Sequence, residues 1–421
     1  MIVSRLNALV RHRLGFLNAL FNALPDRREP EDCLYSVATL MWLIVLGFLC
    51  RQGSRNAMDA NRNGGQMPAN LMVLSGQRRW PSGRPLTAPC TQTVTNFLDI
   101  LKPECLEQIL IAIARTLLRA KLFDEARVFD VWVLVAIDGT KMEPFRNGWA
   151  PWRRKYRYVI HAKIIGPNGL TITVLAEPCD FYDTERGKLD CELAAFKRLA
   201  PRLKAAFPRQ PICLLGDALY ACEPVFAICE QYGWKFALTF KEGSHPAAYA
   251  DALDLLPLAV GNVARLTRKD FRQDMRWVDQ VPFGKRSLNV LFVGEIDGVT
   301  SYLCAWATNF MLATPERAQA VAAAARRRSR IEESYNVQKN GGFGLEHAFR
   351  QTNRGAYNYH LLMQLAHTLS QLLFALCRPV FATCRKLAAT AFARLLGETL
   401  HARPPPDHAL PAFQLRFGDT S

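Results

Sequence analysis

Three carboxylates in this sequence stand at positions suited to holding metal ions. Asp138 lies in VAIDGTKM and Asp217 in LLGDALYA, each after an apolar run and beside a glycine. A carboxylate that follows a buried strand projects at the open rim of a sheet, where ligands commonly bind. Taken singly, either aspartate reads first as a turn residue, because Asp-Gly and Gly-Asp are turn dipeptides. Glu332 changes that balance. It lies in RRRSRIEESYNVQKN, with Arg328 four residues before it and Lys339 seven residues after it. On a helix these positions share one face, together with Tyr335 and Asn336. A carboxylate flanked by two cations, opposite two strand-end carboxylates, suits phosphate chemistry. Three carboxylates hold two Mg²⁺ ions about 3.5–4 Å apart, one activating the attacking oxygen and the other stabilising the leaving one, and Mn²⁺ is a natural substitute. Arg328 and Lys339 would then hold the phosphates. The competing reading is a solvated basic helix face with one salt bridge.

Such residues need a sheet and a helix to carry them. Val131 to Ile137 is a valine-rich strand ending at Asp138-Gly139. Strands over 156–165 and 170–176 follow, joined as a hairpin by Gly166-Pro167-Asn168-Gly169. Then come a helix near 184–206, a strand from Ile212 to Leu215 ending at Gly216-Asp217, a helix near 222–231 and a strand over 234–240. The order β-β-β-α-β-α-β predicts an α/β fold, a mixed sheet covered by helices. Residues 243–310 read as an inserted β-rich unit of mostly short strands, with Ser287–Val293 and Ser301–Ala307 flanking the turn Asp297-Gly298. One long helix is predicted from the cap Thr314-Pro315-Glu316 to Lys339, stopped by Asn340-Gly341-Gly342. Two apolar helices fill 356–400, and the tail after Arg403 is irregular. The expected division is 1–125, helical; 126–242, first part of the core; 243–310, insertion; 311–350, second part of the core with the glutamate helix; and 351–421, C-terminal helices and tail.

In the N-terminal part, Leu6, Leu9, Val10, Leu14, Leu17, Phe21 and Leu24 recur at helix spacing. Two more helices are expected near 91–101 and 104–120. Between them and the first helix lies a stretch from Gly53 to Arg84, rich in Gly, Pro, Asn and Arg. It reads as a loop, either a solvated linker or an arm on DNA phosphates.

The chain of 421 residues carries 53 Lys and Arg against 37 Asp and Glu, a net charge of +16. That balance favours a polyanionic partner, and its plainer alternative is a basic protein from a GC-rich genome. The 12 cysteines include no Cys-x-x-Cys pair, which speaks against a zinc site or a disulfide framework and for reduced thiols. Leu34 to Cys50 is charge-free but short of the roughly 20 residues of a bilayer span, so a buried helix and no membrane are expected. Arg5, Arg11 and Arg13 break any secretory pattern, which predicts a cytoplasmic protein.

The constellation resembles the DDE transposases of bacterial insertion sequences, in particular the IS-four type marked by Tyr-x-x-Arg-x-x-x-Glu-x-x-x-x-x-x-Lys. Arg328, Glu332 and Lys339 match three of its four positions, Ala325 stands in place of the tyrosine, and Asp138 and Asp217 match its first two acidic motifs. The phrase KNGGFGLEHAF at 339–349 is similar to the stretch that follows the glutamate in many members. The resemblance implies an RNase H-like core with a β-rich insertion, preceded by a helical end-binding domain and followed by C-terminal helices. It implies Asp138, Asp217 and Glu332 as catalytic and metal-holding residues, with Mg²⁺ as cofactor and Mn²⁺ in reserve. It implies double-stranded DNA as partner, both transposon ends and target, a homodimer in the synaptic complex, and a nucleoid-associated place in a bacterial cytoplasm. The activity implied is cut-and-paste transposition from terminal inverted repeats, with the hairpin step left open by Ala325. Tyr335 is expected to supply the missing tyrosine's phosphate contact, the alternative being a site with a weaker phosphate grip. In relatives a tryptophan of the insertion stacks on a flipped base, which marks Trp306, although a core tryptophan is the default there. Arg153 and Arg154, with Trp149, Trp152 and Lys155, form an aromatic-basic cluster that is either a DNA contact or a solvated loop. The rival functions are a catalytically silent, domesticated or regulatory DNA-binding derivative and a nuclease of the same fold.

Overall fold

The computed structural model describes residues 2–29, 31, 33–146, 154–179, 192–268, 271–297, 300–381, 384 and 387–405. The N-terminal part is helical, as its periodicity requires. It comprises α1 (Ile2–Arg13), α2 (Leu17–Asn22), α3 (Val37–Leu49), α4 (Arg55–Asn61), α5 (Met67–Ser75), α6 (Thr91–Ile100) and α7 (Pro103–Arg119). Every residue of α3 is buried, so the charge-free stretch is a core helix. Ser36 starts it by accepting the Thr39 N–H.

The expected loop over 53–84 is corrected, because it contains α4 and α5. Its polar and special residues are the caps rather than the interior of a coil. The Ser54 hydroxyl accepts the Ala57 N–H at 3.2 Å, Pro68 sits in the first turn of α5, and Gly76 closes α5 in the left-handed region at φ 73°. Two of its arginines are tied inward: Arg55 donates to Gln92 at 2.8 Å and Arg62 pairs with Asp59 at 3.4 Å. Arg78, Arg79 and Arg84 remain exposed.

The sheet elements follow in chain order: β1 (Val133–Arg146), β2 (Arg154–Ile165), β3 (Thr171–Cys179), α8 (Glu192–Ala206), β4 (Ile212–Gly216), α9 (Glu223–Tyr232), β5 (Lys235–Thr239), α10 (Pro246–Leu255), β6 (Val263–Arg268), β7 (Phe271–Phe283), β8 (Arg286–Asp297) and β9 (Thr300–Thr308). The chain continues through α11 (Pro315–Arg326), α12 (Ser329–Asn340), α13 (Asn353–Cys377) and α14 (Ala389–Ala402). The strands form one sheet in the order β3-β2-β1-β4-β5-β9-β8-β7-β6. Strands β1, β4 and β5 pair in parallel, while β1, β2 and β3 pair antiparallel, which is the RNase H-like arrangement.

Alternation along β1 assigns its two faces. Val133, Val135 and Ile137 join the large core, to which α7 and α8 contribute, whereas Leu134 and Ala136 join a second core beneath α11 and α12. Asp138 continues the latter series. The strands of 243–310 are longer than the expected short ones, with 13 residues in β7 and 12 in β8. Because β9 pairs with β5, they extend the core sheet rather than forming a sheet of their own.

Two expectations near the site are also corrected. Strand β1 does not end at Asp138 but runs on to Arg146, held by β2 after β4 has stopped. The long helix of 314–339 is two helices. Between α11 and α12 the amides of Arg327, Arg328, Arg330 and Ile331 reach back three residues instead of four, at 3.0–3.1 Å. The three successive arginines take three different partners there. Arg326 pairs with the buried Glu295 of β8, Arg327 donates to the Ala126 carbonyl at 3.0 Å, and Arg328 pairs with Glu332. Helix α13 is long and apolar enough, by length and composition, to cross a membrane, but most of it is buried against α3, α6 and α7.

Candidate active site

The last parallel pair between β1 and β4 is Ala136↔Leu215. Asp138 lies two residues past it on one strand and Asp217 two residues past it on the other. Both carboxylates therefore stand at the C-terminal rim of the same strand pair, where the sheet opens. Asp217 is also a turn residue: its Oδ1 accepts the Leu219 N–H at 3.0 Å. Asp138 is half-buried, and its carboxyl is pushed up to about 7, first by burial. The charges of Glu192 and Asp217 push the same way, while Arg328 and the Gly139 N–H oppose them.

Arg328 is the cation shared by this cluster. Its guanidinium acts on Asp138 and donates to Glu332 Oε1 at 2.7 Å, one helical turn away. Glu332 itself is exposed on α12. Lys339 closes the same helix and pairs with Glu346 at 3.1 Å.

Glu192, at the start of α8, escaped the sequence reading. Tyr158 donates to its Oε1 at 2.6 Å and Tyr220 to its Oε2 at 3.0 Å. The signal that pointed to it was Gly139, since any side chain there would strike the Tyr158 ring and the Glu192 carboxyl.

Three other expectations change. Tyr335 is buried, and its hydroxyl donates to the main-chain carbonyl of Asp138 at 2.8 Å, so it stands behind the aspartate instead of on the exposed face with Glu332. Ala325 belongs to α11, not to the glutamate helix, and is buried in the core under the sheet, where a tyrosine would have to displace its neighbours. Trp306 is 6% exposed on β9, packed in that same core with Arg326 over its ring, and so is a core tryptophan. Arg153, Trp149 and Trp152 lie outside the described residues; the main chain of Arg154 pairs with Arg146 in the β1–β2 ladder.

Among the described residues, no three Asp, Glu, His or Cys side chains are drawn into one metal ligand set, and Glu332 is paired with Arg328. The donor chemistry nonetheless fits a hard divalent cation. Two carboxylates meet at a rim with a third, Glu192, close enough to raise Asp138, and this excess of negative charge is what such a cation relieves.

Because the folded protein favours protonated Asp138 between its ordinary value of 3.8 and about 7, this group costs stability as pH rises through that window. A cation held by Asp138 would have to displace the same proton. Mn²⁺ affinity of the free protein, read by electron paramagnetic resonance, is expected to fall about tenfold per pH unit below about 7 and to level off above it. A flat affinity between about pH 5.5 and 7 would remove Asp138 from the ligand set.

A cavity of about 960 Å³ lies on another side of α12, lined by Arg51, Arg330, Ser334, His367 and Gln371 among others, and by none of the three carboxylates. Volume alone therefore does not mark the chemistry here.

A protein-family profile described as the transposase DDE domain matches residues 133–369, from the first residue of β1 into α13. Curated proteins give no match to the chain.

Proposed function

Because the chain belongs to the transposase DDE-domain family, we propose that it binds the terminal inverted repeats of its own element and catalyses metal-dependent cleavage and strand transfer. The observation that carries this reading is the pair Asp138 and Asp217 at one strand-pair rim, with Arg328 linking Asp138 to Glu332. Transposases of this family generally use divalent metals. Asp138, Asp217 and Glu332 are the residues that would hold Mg²⁺, or Mn²⁺ in its place. A bound cation would supply activation of the attacking oxygen and charge stabilisation at the leaving one.

The chain's own groups do the rest. Arg328 and Lys339 grip phosphates of the DNA end, exchanging their present carboxylate partners Glu332 and Glu346 for phosphate oxygens. The surplus of +16 draws double-stranded DNA to the protein, both the element's ends and the target. The helices of 1–125 are the candidate end-binding part, and two copies of the chain are expected to pair two ends.

The charge-assisted contacts of Arg328 and Lys339 have a measurable worth. Arg328→Ala and Lys339→Ala should each slow the steps after the first nick by roughly ten- to a hundredfold, about 1.5–3 kcal/mol, with a smaller effect on binding. A time course of nicked and fully cut ends on a gel checks this; wild-type progress by Arg328→Ala would overturn the phosphate role.

A second reading has one observation in its favour. Glu332 pairs with Arg328 and is not gathered with the aspartates, as a catalytically silent DNA-binding derivative would allow. A nicking assay on the element's ends with Mg²⁺ separates the two: nicks support the enzyme, and binding without nicks supports the derivative.

A further inference from the structure

Behind Asp138 runs a line of buried polar groups that the proposed chemistry does not use. The Tyr335 hydroxyl lies 2.8 Å from the Asp138 carbonyl oxygen and 3.0 Å from His161 Nδ1. His161 Nε2 lies 2.7 Å from His360 Nε2. The three side chains come from α12, β2 and α13, and His161 is the direct cross-strand neighbour of Asp138. All three are buried, the two histidines at 0% and 2% exposure.

The protons in this line have one consistent order. Burial holds both imidazoles well below their ordinary value, His360 down to about 3, so each is neutral and carries a single N–H. The Asp138 carbonyl only accepts, so the Tyr335 proton belongs to it. His161 must then donate from Nδ1 to the tyrosine oxygen, which leaves its Nε2 bare. His360 supplies that nitrogen from its own Nε2–H, and its Nδ1 ends the line as an acceptor without a partner. Reversing the order would deprive the Asp138 carbonyl of the tyrosine proton and strand a buried N–H at His360 Nδ1, the costlier outcome. Gln364 Nε2 sends one of its two amide hydrogens to Gln338 at 2.9 Å, and at 3.4 Å from His360 Nε2 its other hydrogen makes only a long contact there, weaker than the 2.7 Å contact between the two histidines.

Tyr335 stands one helical turn from Glu332 on α12. We propose that Tyr335, His161 and His360 form a proton-ordered strut that fixes the main chain at Asp138 relative to the Glu332 helix, and thereby tunes how tightly the carboxylates hold a divalent cation. They are positioning residues, since all three are buried and reach Asp138 only through its main-chain carbonyl. The inference rests on the metal-site reading above and adds residues that reading does not need. Its physical basis is general: groups that orient metal-holding residues through hydrogen bonds typically change metal affinity by about 10–100-fold when removed.

Two measurements on the full-length protein test it. The first uses ¹⁵N-labelled histidine and nuclear magnetic resonance without metal. His161, assigned by the loss of its signals in His161→Asn, should carry its proton on Nδ1, and His360 on Nε2. A proton on His161 Nε2 would overturn the strut whatever the metal affinities are. The second is Mn²⁺ binding by electron paramagnetic resonance, with melting temperature recorded in parallel. Tyr335→Phe and His161→Leu should weaken Mn²⁺ by about 10–100-fold. His161→Asn, whose amide can donate from near the Nδ1 position, should stay close to wild type. Wild-type affinity in Tyr335→Phe would overturn the proposal, as would a His161→Asn protein that folds yet binds as poorly as His161→Leu. Asp138→Asn serves as the control: if it keeps full Mn²⁺ affinity, the metal-site reading fails, and the histidine signals alone decide whether the strut exists.

Discussion

Asp138→Asn is expected to abolish DNA cleavage while leaving end binding and folding intact. The substitution keeps the size of the side chain and removes its charge. A held cation is worth several kcal/mol of charge stabilisation at the reacting phosphate, so its loss should slow cleavage by ~10³-fold or more. Asp217→Asn should do the same. The double variant should be little worse than either single one, because groups that act as one unit lose their function once. Folding gives an internal control. Asp138 is a carboxyl whose ionisation the fold disfavours, so an amide there relieves a cost above about pH 7 and should not lower the melting temperature of the metal-free protein. Cleavage by Asp138→Asn at the wild-type rate, measured on the element's own ends with Mg²⁺ in excess, would take Asp138 out of the chemistry.

The second large effect is on binding. With a surplus of +16 charges, contacts to about 6–10 phosphates are expected, and affinity for DNA should fall by roughly 10³–10⁵ between about 50 and 200 mM salt. Deleting residues 1–125 would be a poor way to locate those contacts, because α3, α6 and α7 pack on α13 and their loss would bare the core. Arg78, Arg79 and Arg84 offer a cleaner test, being exposed in the turn after α5. Changing all three to alanine should make the slope of log affinity against log salt shallower by about 2.7, at about 0.9 per phosphate contact. An unchanged slope in a filter-binding titration would show that this turn does not meet DNA.

The sheet and the two aspartates were legible because they obey local rules. VLVAI and ICLLG are uninterrupted apolar runs, and such runs become neighbouring strands buried on both faces, with whatever follows them at the rim. The break between α11 and α12 was not legible. It falls within RRRSR, where no glycine or proline marks it, and depends on partners far away in sequence: Glu295 for Arg326 and the Ala126 carbonyl for Arg327. Tyr335 departs from its expected place for a geometric reason. At about 100° per residue it lies about 60° round α12 from Glu332, towards Ile331, Ser334 and Gln338 on the buried side. Sharing a face with an exposed residue left its own burial undecided, and only the packing of α12 on β1 and β2 decided it. Glu192 carried no pattern of its own, and the sole local hint lay at Gly139, far from it in the chain. The arginine-rich stretch after α3 reads as a loop in the sequence because cap residues and loop residues are of the same types.

Glu332 bears most weight in the account, since it is the one carboxylate of the three that the structure leaves paired with an arginine. The most direct test is therefore the cleavage of DNA carrying the element's ends by wild type and Glu332→Gln, with Mg²⁺ and with a chelator, products resolved at the element boundary. Wild type with Mg²⁺ is expected to give cuts bearing 3′-hydroxyl ends, with none after chelation and none from Glu332→Gln while it still binds the ends. Cutting by Glu332→Gln at the wild-type rate, or cutting by wild type that survives chelation, would contradict the metal-site reading.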